Sequence, residues 1–184
     1  MSRRTRVLDA EQLCRMFCHP IETANGQVSV RPIRPADAGL SQAFVASLSA
    51  TARYFRFFQP LKSLPPLLLE RFTRVDHADH IALVGIAMDR GAASIVAEAR
   101  YAVGGDGTVA DIALVVADRW QRRGIATELL AALERIAGST GIARLTGESF
   151  AVNAGFLQFA RSSGFSVRTA AEDRSLVKID KPIW

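Results

Sequence analysis

Gln121-Arg122-Arg123-Gly124-Ile125-Ala126 follows an apolar run from Ala110 to Ala117 and opens an amphipathic helix read from Ile125 to Ile136. A strand, a tight turn through Gly124 and small Ala126, and a helix N-terminus line up backbone N–H groups and the positive end of a helix dipole toward one point. The stretch reads as a cradle for a phosphate-type anion. Two familiar phosphate loops are excluded, because the chain has no G-x-x-x-x-G-K-[ST] and no G-x-G-x-x-G after a first strand.

Outward from that stretch, strands and helices alternate. Toward the C-terminus we expect a strand near Ala143 to Phe150, a helix from Asn153 to Arg161, and closing strands near Ser166 to Thr169 and Ser175 to Ile179. Toward the N-terminus, Ile81 to Met88, Ser94 to Val103 and Thr108 to Ala117 read as consecutive strands joined by Arg90-Gly91 and Gly104-Gly105-Asp106-Gly107. Loops that short make them antiparallel neighbours. Earlier still, Val28, Val30 and Pro32 alternate with polar residues in a strand over Gln27 to Ile33, and Pro35 takes a first helical position. That helix runs through Ala46. Ser49 N-caps a second over Ala50 to Phe58, and Ser63 caps a third that carries Pro65-Pro66 in its first turn. The cluster Tyr54, Phe55, Phe57 and Phe58 is read as core. Residues 1–25 form an extension ahead of a domain over 26–184, with a helix whose apolar side is Leu8, Leu13, Met16 and Phe17, stopped by His19-Pro20.

Bulk properties narrow the class. At 184 residues and 49% hydrophobic the chain suits one domain with a real core. No apolar run reaches the roughly 18 residues of a membrane span, and no apolar leader precedes Glu11, so a cytoplasmic location is expected. The net charge of +5 fits a phosphate-rich ligand; its Lys and Arg are dispersed rather than striped with aromatics, and nucleic acid is not expected as a partner. Cys14 and Cys18 beside His19 fall short of the tetrahedral ligand set zinc takes, so no metal is expected and the cysteines are read as reduced and partly buried. Asp76-His77-Ala78-Asp79-His80 lies just ahead of a strand and is read as a solvated turn.

The Gln121 to Ala126 stretch resembles the Q/R-x-x-G-x-G/A signature of the GNAT superfamily of acyltransferases, and Asn153, Gly164 and Phe165 match that family's N-x-x-A-x-x-L-Y-x-x-x-G-F block. The two blocks fall in the family's order, and so does the series of strands and helices from about Val28 onward. Leu48 to Phe58, Arg71 to Asp76 and Ala82-Leu83-Val84 are similar to the acetyltransferase domains fused to ADP-forming acyl-CoA synthetases, which acylate protein lysines; no synthetase portion lies within this sequence. The resemblance implies an α/β fold with a mixed, mostly antiparallel sheet flanked by helices, here with an N-terminal helical extension. It implies acetyl-CoA as co-substrate and transfer of an acetyl group to a primary amine, a protein lysine first. It also implies that Gln121, Arg122, Arg123, Gly124, Ile125, Ala126 and Thr127 hold the pyrophosphate. The strand edge near Leu114 would pair with pantetheine, the Val116 N–H would meet the thioester carbonyl, and Asn153 and Phe156 would border the CoA arm.

Transfer to an amine needs a bound acyl-CoA, a donor for the oxyanion and a route for the amine's proton. An alkylamine with a pKa near 10.4 must lose a proton before it attacks. The family's tyrosine falls at Ala160, so a phenol acid for the leaving thiolate is missing there, although a thiolate whose thiol pKa is about 8.5 leaves without strong help. Lysine-acylating relatives carry a glutamate base in an A-E-x-A-like context, where this chain has Ala110-Asp111-Ile112-Ala113. Asp111 is the first candidate base, one methylene short; Glu98 is the second, and bulk water the third. If the turn is Gly104 to Gly107, Arg100 falls opposite Asp111, and the competing reading makes Asp111 its ion-pair partner. Three functions stay open: a protein-lysine acetyltransferase, a small-molecule amine acetyltransferase, and an acyl-CoA-sensing module without turnover, as a monomer or homodimer.

Overall fold

Helix α1 (Ala10–Phe17) leads into a hairpin of β1 (Pro20–Thr23) and β2 (Gly26–Pro32). A short turn of 3-10 helix at Pro35–Asp37 precedes α2 (Ala38–Ser47), α3 (Ala50–Phe57) and α4 (Pro66–Thr73). Strands β3 (His80–Asp89), β4 (Ala92–Val103) and β5 (Val109–Val116) follow. After a second 3-10 turn at Asp118–Trp120 come α5 (Ile125–Thr140), β6 (Arg144–Phe150), α6 (Ala154–Ser162), β7 (Ser166–Thr169) and β8 (Leu176–Pro182). This computed structural model describes residues 9–183 apart from 18, 90 and 106, so Leu8, Cys18, Arg90 and Asp106 lie outside the described residues.

The strands form one eight-stranded sheet in the order β1-β2-β3-β4-β5-β6-β8-β7. Every neighbouring pair is antiparallel except β5 and β6, which run parallel. The fold is thus α/β with a mixed, mostly antiparallel sheet, and a helix stands at the N-terminus. Successive residues of β4 show how the helices divide. The Arg100 guanidinium lies 3.9 Å from the centre of the Phe72 ring of α4. The next residue, Tyr101, points the other way, its hydroxyl 3.4 Å from Thr140 of α5. Leu13, Ile81, Leu83, Leu129, Ile136 and Leu145 are fully buried. Each contributes about 1.5–3 kcal/mol of hydrophobic stabilisation.

Local chemistry sets the helix starts. The Ser49 hydroxyl accepts the Ala52 N–H at 3.1 Å and caps α3, as its position ahead of the helix predicts. Asp118 holds that cap from the far side of the sheet connection, accepting the Ser49 N–H at 3.0 Å and its hydroxyl at 2.8 Å. The expected Ser63 cap does not form: α4 begins at Pro66, with Pro65 ahead of it and no side-chain cap. A residue before proline is kept out of the helical region, so the Pro65-Pro66 pair delays the start.

Four further differences from the expectations have physical causes. Pro20 begins a strand rather than only ending a helix, because at the sheet's edge its missing N–H loses no ladder bond. Met16 is 55% exposed, leaving Leu13 and Phe17 as the buried side of α1. The β4–β5 turn falls one residue later than expected: Gly104 N–H reaches Val109 O at 2.7 Å, which sets Ala102 opposite Asp111 and Arg100 opposite Ala113. That two-residue shift keeps Asp111 and Arg100 on one face but removes their direct pairing. Finally, the Asp76 to His80 turn is only partly solvated: Asp76 and Asp79 are exposed, Asp76 accepts the N–H groups of Ala78 and His80 at 2.9 and 2.8 Å, and half-buried His80 sets Nε2 3.2 Å from Arg100.

Candidate active site

Strands β5 and β6 pair only from Val109–Asp111 to Arg144–Thr146, although both continue well beyond. Gly147 stands where they part, and a Cβ there would come within 3.2 Å of the Ile112 carbonyl oxygen and 3.3 Å of Ile179. On the other side of β5, Val96 is left over in the β3–β4 register and takes the Ala117 N–H at 2.8 Å. Backbone groups alternate along a strand, so with Ala117 bonded toward β4 the N–H groups of Val116 and Leu114 face the parted seam. Gln121 Nε2 donates to the Val116 carbonyl at 3.1 Å and anchors the following loop to the strand end.

The seam opens into a cleft of about 1190 Å³, lined by the end of β5, the loop and helix start from Trp120 to Thr127, the middle of β6, and one side of α6. Every residue singled out in the loop, together with Leu114, Val116, Asn153, Phe156 and Asp111, lines it. Gly124 takes φ +79° as the residue before α5, where only glycine sits without strain, and Arg122 takes φ +59°. No side chain caps α5, whose first bond runs from the Glu128 N–H to the Gly124 carbonyl at 3.1 Å. The N–H groups of the turn ahead of that bond are the ones a helix leaves without partners of its own. A Cβ built on Gly124 would meet nothing within 4 Å. The cradle is open where a diphosphate would lie against backbone, so its shape fits a CoA arm.

Asn153 stands at the start of α6, its Oδ1 accepting the Phe156 N–H and its Nδ2 donating to Ser149 Oγ, both at 3.4 Å. Phe156 and Phe159 face the cleft. Ala160, at the family's tyrosine position, is 1% exposed in the core. Neither tyrosine of the chain lines the cleft. Tyr101 is fully buried at the α5 face, and burial pushes its phenol up to about 12. Tyr54 stacks on Phe150 at 4.9 Å.

The two carboxylates proposed as bases meet opposite fates. Glu98 is 6% exposed and does not line the cleft. Arg100 Nε donates to its Oε1 at 2.9 Å and Arg56 Nη2 to the same oxygen at 3.3 Å. Burial pushes the Glu98 carboxyl up, but the two guanidiniums outweigh it and hold the pKa below the usual value. Asp111 is exposed on the cleft wall, and no hydrogen bond or ion pair to it is found among the described residues. Its pKa is raised, first by the surrounding protein of the concave site and then by Glu148, against a smaller opposing pull from Arg56. The ion pair with Arg100 is therefore not formed: Arg100 is committed to Glu98, to the Phe72 carbonyl at 3.3 Å and to the Phe72 ring.

The structure adds cleft residues that carry no sequence motif. Glu148 lies on the same face of β6 as Thr146, the parallel partner of Asp111. Phe55 and Phe58 of the α3 end line the cleft beside Arg56. The aromatic cluster read as core is divided: Phe57 packs against the core, whereas Tyr54, Phe55 and Phe58 form a half-exposed wall around Phe150 with ring centres 4.9, 5.8 and 4.9 Å away. Among the described residues no His, Cys, Asp and Glu group could hold a metal ion, and no helix is long and apolar enough to cross a membrane.

Comparison with known proteins places this geometry. The family model described as acetyltransferase (GNAT) family matches residues 48–165. An acetyltransferase of Pseudomonas aeruginosa is 26% identical over 150 residues, which covers 82% of this chain and 81% of that protein. The acetyltransferase Pat of Mycolicibacterium smegmatis is 33% identical over 128 residues, 68% of this chain but 37% of Pat. The crystal structure of the GNAT domain of S. lividans PAT superposes with a TM-score of 0.80 at 26% identity, covering 90% of this chain and 97% of that one.

Proposed function

The chain belongs to the acetyltransferase (GNAT) family and is an N-acetyltransferase, and from that premise we propose that it moves the acetyl group of acetyl-CoA to a primary amine, a protein lysine before a small molecule. The observation that carries the reading is a single cleft joining the open backbone cradle at Gly124, the parted β5 edge and the raised carboxyl of Asp111. The similarity of Leu48 to Phe58, Arg71 to Asp76 and Ala82-Leu83-Val84 to lysine-acylating domains favours the protein acceptor.

In this reading the loop from Gln121 to Thr127 receives the diphosphate through backbone N–H groups, with Arg122 and Arg123 adding charge. Leu114 aligns the pantetheine along the seam. Val116 offers its N–H to the thioester oxygen as negative charge develops there, a contribution of roughly two to three orders of magnitude in rate for donors of this kind. Asp111 takes the proton that an ammonium must lose before attack; a carboxylate raised toward working pH is better matched to that task than one held low. Glu98, clamped between two arginines and out of the cleft, serves instead as the anchor that keeps Arg56 in place. With Ala160 in the tyrosine position, the leaving thiolate takes its proton from the amine nitrogen or from water.

Thiol release from acetyl-CoA against peptide lysines, free alkylamines and an acyl-CoA synthetase tests the reading. Fastest release with a protein lysine is expected. Tight CoA binding with no release to any acceptor would replace it with a sensing module.

A further inference from the structure

We propose that Glu148 is the acceptor-binding residue of this cleft, holding the incoming ammonium beside Asp111 and selecting primary amines carried on a flexible aliphatic chain. The inference rests on the acyl-transfer reading of the cleft and names which of its groups meets the amine.

The placement follows from the sheet. Asp111 is the last residue of β5 to pair with β6, opposite Thr146, and Glu148 stands two residues further along the same face. Both carboxylates line the cleft, and among the described residues neither has a hydrogen bond or ion pair within the protein. Arg56 and Lys178 line the same cleft, but the cations nearest the pair each have another carboxylate partner. Arg56 and Arg100 are bonded to Glu98. Lys178, the β8 residue opposite Glu148, turns to Glu172 at 3.5 Å. Asp180, also at the cleft, is taken by Arg144 at 2.7 Å. A pair of carboxylates in such surroundings calls for a mobile cation that arrives with the substrate. The wall beside them names its tether: Phe55 and Phe58 offer ring faces to methylene groups, and Phe150, two residues after Glu148, anchors both rings.

Two carboxylates divide two tasks that one cannot perform together. A group that attracts a cation works best when charged, whereas a base is best matched when its pKa is raised. The surrounding protein of the concave site raises Asp111 toward the second task, the negative charge of Glu148 adds to it, and Arg56 opposes both. The ammonium gives one proton to Asp111; the amine nitrogen bonds to the acetyl carbon; the C–S bond breaks, its electron pair leaving with the CoA sulfur; the second N–H proton neutralises that thiolate. Asp111 then returns its proton to solvent.

The test uses the intact protein saturated with CoA, which binds but cannot transfer. Calorimetry compares Nα-acetyl-lysine amide with the same molecule acetylated on Nε, in wild type, Glu148→Gln and Glu148→Asp. Glu148→Gln is expected to weaken the cationic ligand about tenfold, a change of about 1.4 kcal/mol, with the neutral ligand and CoA itself unaffected. Glu148→Asp should restore part of the loss. In turnover, Glu148→Gln should raise the acceptor KM more than it lowers kcat and move the acid limb of kcat/KM to lower pH. Equal losses for both ligands, an unmoved acid limb, or no binding of the cationic ligand to wild type would overturn the assignment. Glu148-dependent binding without any turnover would leave it standing and remove the acetyl-transfer reading instead.

Discussion

Glu98 and Asp111 lie on one face of adjacent strands, yet one is sealed between Arg56 and Arg100 and the other opens into the cleft. The first region is a closed network, in which guanidiniums satisfy the carboxylate and stack on Phe57 and Phe72. The second is left open by a sheet that stops pairing after Asp111. Residue type and strand position therefore do not assign a base. The neighbours do, by lowering one pKa and raising the other.

The largest expected effect lies in the closed region. Glu98→Gln strands two buried arginines and should cost about 3–5 kcal/mol of stability, read by denaturant unfolding. The pH dependence has a definite sign. A carboxyl held below its unfolded value stabilises the fold above the usual carboxylate range and loses that contribution as pH falls through its folded pKa. The gap between wild type and Glu98→Gln should therefore be full at pH 7 and close only in acid. A gap that is small at pH 7 would mean that the arginines do not depend on Glu98.

In the open region, Gly124→Val should weaken CoA binding by at least about a hundredfold, a change of about 2.7 kcal/mol, because its side chain would stand in the cradle. The fold should survive, since nothing within 4 Å opposes a Cβ there, although φ +79° adds a local cost of about 1–2 kcal/mol. Unchanged CoA affinity in a folded variant would sink the cradle.

Two smaller effects sharpen the contrast. Asn153→Asp keeps the α6 cap, so stability should hold within about 0.5 kcal/mol, while CoA affinity falls through repulsion of the phosphates. Equal affinities would leave Asn153 as a cap alone. Asp111→Asn should melt no lower than wild type at pH 7. A raised carboxyl favours the folded state only below its unfolded pKa and loses that advantage as pH rises through the folded one, so a neutral amide forfeits nothing at pH 7. A clear loss of melting temperature would return Asp111 to a structural role.

Much of this was legible in the sequence because it rests on local rules. Alternation marked β2, apolar runs between short turns marked β3 to β5, Ser49 announced its own cap, and the Gln121 to Ala126 stretch picked out residues that line the cleft. What escaped depends on register and on neighbours distant in the chain. Gly104 to Gly107 can close a turn in more than one register, and a two-residue difference decided whether Arg100 faces Asp111. Glu148 sits in an ordinary polar-apolar alternation, with no spacing that ties it to a residue on β5. The aromatic run of α3 looked like core because apolarity alone does not tell a buried face from a cleft wall. β1 was hidden by Pro20, which also stops a helix.

If Asp111 accepts the amine's proton, the pH profile of acetyl-CoA-dependent thiol release must carry its signature. With the preferred amine at saturation, Asp111→Asn should lose about two to four orders of magnitude in turnover at pH 7, keep its CoA affinity, and recover as rising pH supplies free amine. Wild-type turnover in Asp111→Asn at pH 7 would contradict the account and hand the proton to bulk water.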